Sequence, residues 1–220
     1  MCAQFALKAQ ANDLSLRFKI KVPETLIEIN ERFLPYKKAP VVVLNSQGES
    51  QLVTMNFSLV PSWSEEPKVK FATHNARLET VTEKPTWKIP FEKKHCLIPL
   101  TSFYESVYEG PLQGNIIEFS DKEHQILWAA GIFDYWKKAD QDLFSFSILT
   151  TTPDSFILDH GHDRSPLFLN YTDGLNWLSL AKQPQTSALD MVRFLSQKLI
   201  RPQLNVVTDR PLKAGWEKRK

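Results

Sequence analysis

Short apolar runs and alternating apolar and polar residues occupy the middle of the chain. In residues 144–148, Phe and Ile alternate strictly with Ser, which is typical of a strand with one face in the core and one face in water. Val41 to Leu44 is a β-branched run of the kind found in buried strands. The pattern predicts six strands, at residues 41–44, 52–59, 96–99, 116–119, 126–133 and 143–149.

Helical spacing is found towards the two ends of the chain. Ser187 and Asp190 have the character of a capping box, and apolar residues follow at helical spacing as far as Leu199. A second helix is predicted at 174–180, and a third begins within 11–14. Strands in the middle with helices outside them predict an α+β fold and not an alternating βαβ fold. Residues 61–90 contain four prolines and little periodicity, which favours a functional segment.

Composition excludes several classes of protein. The chain of 220 residues is long enough for one large domain or two small ones. Hydrophobic residues at 42% and charged residues at 24% are ordinary for a globular protein and exclude a disordered chain. The net charge of +2 is too small to indicate a nucleic-acid partner by itself, so any basic surface has to come from local clustering.

The two cysteines, Cys2 and Cys96, are too few for a disulfide framework or a four-cysteine zinc site. The chain shows neither a secretory signal nor an apolar run of the ~20 residues that a membrane span needs. We therefore expect a cytoplasmic protein without a membrane partner. P-loop, dinucleotide-binding, G-x-S-x-G and H-E-x-x-H motifs are also missing from the sequence, which excludes the commonest nucleotide, hydrolase and zincin functions.

Cys2 is a candidate nucleophile because removal of Met1 would make it the N-terminal residue. Its α-amine, with a pKa of about 7.7–8.0, and its thiol, with a pKa of about 8.5, would both be partly deprotonated at neutral pH. Such a 1,2-aminothiol reacts with an aldehyde to give an imine, which the thiol closes into a thiazolidine. Alternatively, the thiol alone serves as an acyl-transfer nucleophile, or the cysteine is incidental.

Three further segments carry candidate chemistry. Residues 73–80 suit a short helix or loop lining a cleft, where Asn75 orients a substrate or an amine and Arg77 grips a phosphate. The alternative is a solvated turn with a weak Arg77–Glu79 pair. Glu105 follows an apolar strand and two aromatic residues, so burial would raise its pKa and suit a general acid, unless its carboxylate reaches water.

The third segment is 159–166, where two histidines, two aspartates and one arginine lie within eight residues. His160 and His162 would point the same way on a strand, but a third metal ligand is not close in sequence, and Cys96 or His74 could complete a zinc site only through folding. Acid–base work by one histidine is favoured over metal binding. A polar loop with two solvated histidines is the alternative.

Taken in order, these pieces resemble the SOS response-associated peptidase (SRAP) family. The resemblance covers nearly the whole chain, and its most specific part is the combination of Cys2, an Asn-Ala-Arg-x-Glu-Thr block, Phe-Tyr-Glu and His-x-Arg-x-Pro. The segments that carry it are 1–2, 39–40, 60–63, 75–80, 96–99, 103–105, 128–133, 149–151 and 162–166. The fold implied is a single domain over 1–220, with a β-barrel-like mixed-sheet core and peripheral short helices.

The resemblance implies a DNA-damage protein that senses abasic sites in single-stranded DNA. After the protein removes its own Met1, Cys2 would form a thiazolidine crosslink with the ring-opened sugar, which shields the lesion in the SOS response. Asn75 would hold the Cys2 amine, Glu105 would transfer the proton that opens the sugar, and His162 would assist. DNA would be bound by six further residues, which are Arg77, Trp63, Pro40, Lys37, Lys38 and Arg164. Neither a cofactor nor a metal is implied, and we expect a monomer.

Several residues depart from the family pattern. Ala3 and Gln4 stand where Gly and Arg are usual, and Lys37 stands where Asn is usual. The loss of a cation at Gln4 predicts lower DNA affinity. Ser106 and Ser165 replace a usual Trp and a usual Met. The terminal residues 217–220 are expected either to touch DNA or to be disordered.

Two other functions stay open from the sequence. A cysteine peptidase or amidohydrolase acting in trans would use Cys2 as acyl nucleophile with His162 as base. A binding module would keep Met1 and never expose Cys2. The intact mass of the protein separates the last possibility from the others, because it reports the loss of one Met.

Overall fold

The computed structural model describes residues 3–219; Met1, Cys2 and Lys220 lie outside the described residues. Within that range, strands β1 to β13 are Gln4–Gln10, Glu28–Phe33, Lys38–Leu44, Ser50–Phe57, Asn75–Arg77, His95–Leu100, Ser102–Ser106, Asn115–Asp121, Leu127–Lys138, Gln141–Thr151, Ser165–Pro166, Phe168–Leu169 and Leu204–Pro211. Helices α1 to α4 are Pro85–Lys93, Ser155–Asp159, Tyr171–Leu180 and Ala188–Lys198. A π-helical turn spans Asp13–Arg17, and a 3-10 turn spans Trp216–Arg219.

Five strands of the larger sheet form a barrel-like ring. They pair in the order β10–β4–β3–β6–β9, and β9 pairs again with β10. Two of the strand pairings in the ring are short among the described residues. Strands β3 and β6 share the residue pair Val42–Leu97, and strands β4 and β10 share two residue pairs. Strand β10 runs parallel to β4 and β5 and antiparallel to β9. The predicted α+β class with a β-barrel-like mixed-sheet core and peripheral short helices is confirmed.

The smaller sheet packs against this ring and carries one of the predicted site residues. Its strand order is β13–β8–β7–β1–β2, and its pairs are antiparallel. Phe5 of β1 meets Phe57 of β4 edge-on, with ring centroids 5.4 Å apart, and Phe57 stacks on Phe146 of β10 at 5.1 Å. These rings belong to one apolar cluster that runs from Phe5 to Leu204. Both sheets therefore share a core, in which each buried Phe contributes about 1.5–3 kcal/mol.

The predicted elements are found with shifted ends. All six predicted strands are present as β3, β4, β6, β8, β9 and β10. The Ser187 side chain caps α4 through a complete capping box with Asp190, as predicted. Helix α3 begins earlier than predicted, at Tyr171, because the Asn170 side chain accepts a hydrogen bond from the Asp173 backbone N–H and caps it there. None of the helices in residues 3–219 has the length and apolar character needed to cross a membrane.

The expectation of a wet face on β10 is wrong. Ser145 and Ser147 are fully buried, because the chain that follows β4 covers this face. Ser145 Oγ accepts a hydrogen bond from the backbone N–H of Val60 at 2.7 Å. Ser147 Oγ donates to the carbonyl of Thr73 and accepts from the indole N–H of Trp87 at 3.1 Å. The alternating serines therefore anchor a covering segment instead of facing water.

That covering segment is the proline-rich stretch 61–90, which contains more regular structure than its pattern indicates. Residues Asn75–Arg77 form β5, parallel to β10, so the expected short helix or loop at 73–80 is wrong for these three residues, while 78–80 form a turn. Helix α1 begins with Pro85 at its first turn, where proline is favoured, and this signal was available in the sequence. Strands β1, β2, β7 and β13 were also missed, because their apolar alternation is weak or short.

Candidate functional site

Glu105 is the buried acid of the candidate site. It lies near the end of β7, and its side chain is 2% exposed. Burial penalises the ionised carboxylate and raises the pKa of Glu105 to about 7, with a further contribution from the charge of Asp163. The alternative of a water-exposed edge glutamate is therefore excluded. A carboxyl group with this pKa can give and take a proton near neutral pH.

The pairing of β1 with β7 brings the start of the described chain to this acid. Gln4 pairs with Tyr104, which immediately precedes Glu105, and Phe5 pairs with Phe103. Ala3, the first described residue, therefore comes just before the strand that flanks Glu105. The predicted nucleophile Cys2 lies outside the described residues, and so does the predicted removal of Met1.

His162 lies beside Glu105 although 57 residues separate them in the chain. Its Nδ1 is 3.5 Å from Oε2 of Glu105, and its side chain is 7% exposed. Burial lowers the pKa of His162 to about 4, so the imidazole is neutral at pH 7. At pH 7 the imidazole is thus neutral and the Glu105 carboxyl group is divided between its two protonation states, so the two groups do not form a fixed ion pair. Among residues 3–219, Nε2 of His162 is buried and has no hydrogen-bond partner.

A tight turn at Gly161 orients His162 towards the site. Gly161 has φ +86°, and a Cβ placed there would come within 3.0 Å of the carbonyl oxygen of Glu109. His160 is bound differently, because it directly follows α2 and its Nδ1 lies 2.7 Å from the carbonyl oxygen of Phe156 in that helix. The structure therefore places His162, and not His160, against Glu105.

Asn75 is a buried polar residue on the strand that flanks β10. It is 6% exposed and pairs with Ile148 in the parallel β5–β10 ladder. Two residues after Ile148, strand β10 also pairs with β11. Strand β11 starts three residues after His162. Asn75 and His162 are thus held by neighbouring parts of one sheet.

Arg164 occupies a buried position that differs from its expected role as a DNA contact. Its guanidinium makes two hydrogen bonds to the carboxylate of Glu79, at 3.0 and 2.8 Å. It also donates to the carbonyl oxygen of Thr150 at 2.7 Å. All three contacts are internal, so the structure gives Arg164 a bridging position between the 75–79 segment and the segment that carries His162. The Arg77–Glu79 surface pair considered from the sequence is replaced by this Arg164–Glu79 pair.

The other expected DNA contacts divide between the surface and the interior. Arg77, Lys37 and Lys38 are exposed, and Trp63 is 56% exposed. Pro40 is buried in β3, where it lines a cavity of about 310 Å³ between β2 and β4. Pro40 therefore does not present a wedge at the surface in this structure, because its ring packs in the wall of that cavity.

Two exposed aromatic residues lie in the same parts of the chain as these cations. Tyr36 is 48% exposed, and Lys68 lies 5.0 Å from the centroid of its ring. Phe71 is 47% exposed and was missed, although its position directly after Lys70 was a usable signal. Exposed aromatic rings beside lysines are the combination that single-stranded nucleic acids bind.

A metal is not supported at the histidine-rich segment. Within the described part of the chain, His, Cys, Asp and Glu side chains form no group of three or more that could hold an ion. Cys96, considered as a possible ligand, is fully buried in β6, and burial raises the pKa of its thiol. A buried neutral thiol is a poor ligand and a poor nucleophile.

Comparison with known proteins shows which proteins this chain is similar to. The chain is similar to the Abasic site processing protein YoqW of Bacillus subtilis (strain 168), with 28% identity over 202 residues that cover 90% of this chain and 87% of that protein. It is 32% identical over 172 residues to the Abasic site processing protein HMCES of Gallus gallus, covering 66% of this chain and 50% of that protein.

Solved structures share the fold. A protein from Bordetella bronchiseptica superposes with a TM-score of 0.75 at 20% identity, over 95% of this chain and all of that chain (100%). A protein from Bacteroides thetaiotaomicron gives a TM-score of 0.72 at 22% identity, over 95% and 92% of the two chains. The family model described as SOS response associated peptidase (SRAP) matches residues 1–207. The chain therefore belongs to the SRAP family.

Proposed function

We propose that this protein recognises abasic sites in single-stranded DNA and links itself to them through Cys2 after Met1 has been removed. The observation that carries the proposal is the buried Glu105–His162 pair, with the carboxyl group poised near pH 7 at the edge where β1 begins. The names of the relatives, which are abasic site processing proteins, support the substrate.

The chemistry needs an acid first and a nucleophile second. An abasic sugar is mostly a closed hemiacetal. Protonated Glu105 would donate to the ring oxygen as the bond between that oxygen and C1 breaks, and the C1 hydroxyl group would lose its proton to solvent as the aldehyde forms. The Cys2 amine then adds to C1, and loss of one water gives the imine. The Cys2 thiol adds to the imine carbon, its proton passes to the nitrogen, and a thiazolidine results. One water is released in total, and the reaction needs no oxidant, reductant or metal.

The protonation states of the two buried groups suit this series of steps, because His162 is neutral at pH 7 and Glu105 is present as both acid and carboxylate. Glu105 returns to the carboxylate after its donation and can then accept a proton from the amine. His162 lies close enough to pass a proton to and from Oε2 once the 3.5 Å separation tightens on binding. Asn75, buried on β5, would orient the amine. We assign removal of Met1 to the same acid–base pair, which would assist one water molecule in hydrolysing the peptide bond before Cys2 and so release free Met and the Cys2 amine.

The DNA would lie across the exposed cations and aromatic rings. Arg77, Lys37 and Lys38 would contact phosphates, and Trp63 would stack on a base beside the lesion. Arg164 would act indirectly, by holding the 75–79 segment through Glu79. Pro40 would shape the strand beneath Lys38, and the protein would work as a cytoplasmic monomer on single-stranded DNA.

A denaturing gel tests the proposal. Purified protein, with loss of Met1 checked by intact mass, is mixed with a single-stranded oligonucleotide that carries one abasic site. We expect a band that survives denaturation and that is missing with intact DNA and with the Cys2→Ala variant. An undiminished band from Cys2→Ala would refute the assignment of the nucleophile. If protein with a free Cys2 amine gives no band, the substrate is not an abasic site, and a peptide substrate would be tested next.

A further inference from the structure

Trp63 is a large apolar side chain held in solvent by a tight turn. The backbone N–H of Ser64 donates to the carbonyl oxygen of Pro61 at 2.9 Å, which closes a β-turn with Trp63 at its third position. The indole is 56% exposed. The position of the indole therefore depends on the contacts that support this turn.

Two side chains of β9 supply these supports, one on each side of Trp63. Oδ2 of Asp134 accepts a hydrogen bond from the backbone N–H of Ser62 at 2.8 Å. The indole N–H of Trp136 donates to the carbonyl oxygen of Ser64 at 2.8 Å. Asp134 and Trp136 are two residues apart on one strand and therefore point to the same face. Both are 2% exposed, so their positions are determined by packing.

The Asp134 carboxylate is also held in place from the other side. Its Oδ1 accepts from the backbone N–H of Tyr135 at 2.8 Å and from the ammonium of Lys94, which follows α1. A buried carboxylate with three donors has one orientation, because any rotation leaves a donor unpaired. A third contact, between Lys138 and Glu65, lies at the surface and contributes little.

We propose that Asp134 and Trp136 are positioning residues for DNA binding, which hold the Pro61–Ser64 turn so that Trp63 is presented to a nucleobase. The inference rests on the proposed function, since it gives Trp63 a base to stack on. Holding the turn rigid before binding removes the entropy that ordering it would otherwise cost. Both residues were missed in the sequence, where neither is near Trp63.

A double-mutant cycle with Trp63→Ala tests the proposal. The probe is a single-stranded oligonucleotide with one tetrahydrofuran site, which cannot open and therefore reports non-covalent affinity. We expect Trp63→Ala to raise the Kd about tenfold, the size of one lost stacking contact. Trp136→Phe and Asp134→Asn should each raise the Kd about threefold or more with Trp63 present and less than about twofold in the Trp63→Ala background. Tyr135→Phe, on the other face of the same strand, is the control and should bind normally.

Each outcome decides a different point. Equal losses in the two backgrounds would overturn the proposal, because they would show that the β9 residues act through general stability. Unchanged affinity of Trp136→Phe, whose side chain keeps most of its packing, would also overturn it, even if Asp134→Asn fails to fold. If Trp63→Ala binds normally while crosslinking persists, the inference is wrong and the proposed function stands. If the wild-type protein neither binds nor crosslinks, both are wrong.

Discussion

Nδ1 of His162 lies 3.5 Å from Oε2 of Glu105, and both side chains are more than nine-tenths buried. The same burial acts on the two groups in opposite directions, since it disfavours the charged form of each. It raises the pKa of Glu105 to about 7 and lowers that of His162 to about 4. At neutral pH the imidazole is therefore uncharged and the carboxyl group is near its titration midpoint, so the pair holds no fixed charge. This property distinguishes it from the structural ion pairs elsewhere in the protein.

The first prediction concerns the pH dependence of crosslinking. Glu105→Gln should slow single-turnover crosslinking about 100-fold at pH 6.5, because Gln cannot donate a proton, while non-covalent affinity stays unchanged. In the wild-type protein the acid contribution should fall as pH rises through about 7, the pKa of Glu105. The variant should lack this fall and keep only the rise that follows deprotonation of the amine. Identical profiles for the two proteins would remove Glu105 from the mechanism.

The second prediction concerns stability. The folded-state pKa of Glu105, about 7, lies above its ordinary value of 4.5, so the folded protein binds more protons than the unfolded chain between these values. Stability therefore falls as pH rises from 4.5 to 7, and the full penalty is present above pH 7. Glu105→Gln should unfold at a temperature about 5–10 °C higher at pH 8, corresponding to roughly 2–3 kcal/mol. At pH 4.5 the difference should nearly vanish.

Thermal unfolding across pH 4.5 to 8 measures this effect. Glu123→Gln, at an exposed position, is the matched control and should show no such pH-dependent gain. A constant difference between Glu105→Gln and the wild-type protein at all pH values would contradict the pKa of Glu105 as the cause.

The third prediction separates two arginines. Arg77 is exposed, whereas the guanidinium of Arg164 donates hydrogen bonds to the Glu79 carboxylate and to the carbonyl oxygen of Thr150. Arg77→Ala should reduce the slope of log K against log salt by about 0.7, the value for one phosphate contact on a single strand. Arg164→Ala should leave the slope unchanged and lower stability by about 1–3 kcal/mol, because the Thr150 carbonyl loses its charged donor.

Anisotropy titrations at several salt concentrations and thermal unfolding measure the two effects. If Arg164→Ala reduces the slope as much as Arg77→Ala does, Arg164 leaves Glu79 and contacts phosphate when DNA binds. That result would restore the direct role expected from the sequence.

The fourth prediction tests the packing of the barrel-like ring. Gly131 of β9 pairs with Cys96 of β6, and a Cβ placed on it would lie 2.3 Å from Cδ1 of Ile98. Gly131→Ala should therefore destabilise the protein by about 1–3 kcal/mol through overpacking. Ile98→Val removes the clashing methyl group, so the double variant should recover part of the loss in chemical denaturation. Additive losses would show that the strain lies elsewhere, against the carbonyl of Ser147.

The sequence by itself determined the class of fold and most of the candidate chemistry. Six strands and the capped helix at Ser187 follow from periodicity and capping, which are properties of short segments. The raised pKa expected for Glu105 followed from its place after an apolar strand. Family membership followed from motifs in order along the chain. The strands, the helix and each single motif depend on residues within a few positions of one another.

Only the tertiary structure decided which segment covers which residue. It brought His162 to Glu105 and buried Arg164 against Glu79. It also covered the face of β10 that carries Ser145 and Ser147, which the sequence pattern predicts to be exposed to water. It also placed Asp134 against the backbone of Ser62, in the turn of Trp63 and 72 residues away in the chain. Burial and partner choice depend on contacts between distant parts of the chain, and a local pattern carries no information about them. The pKa values and the exposed surface, and with them the site, are therefore set by packing.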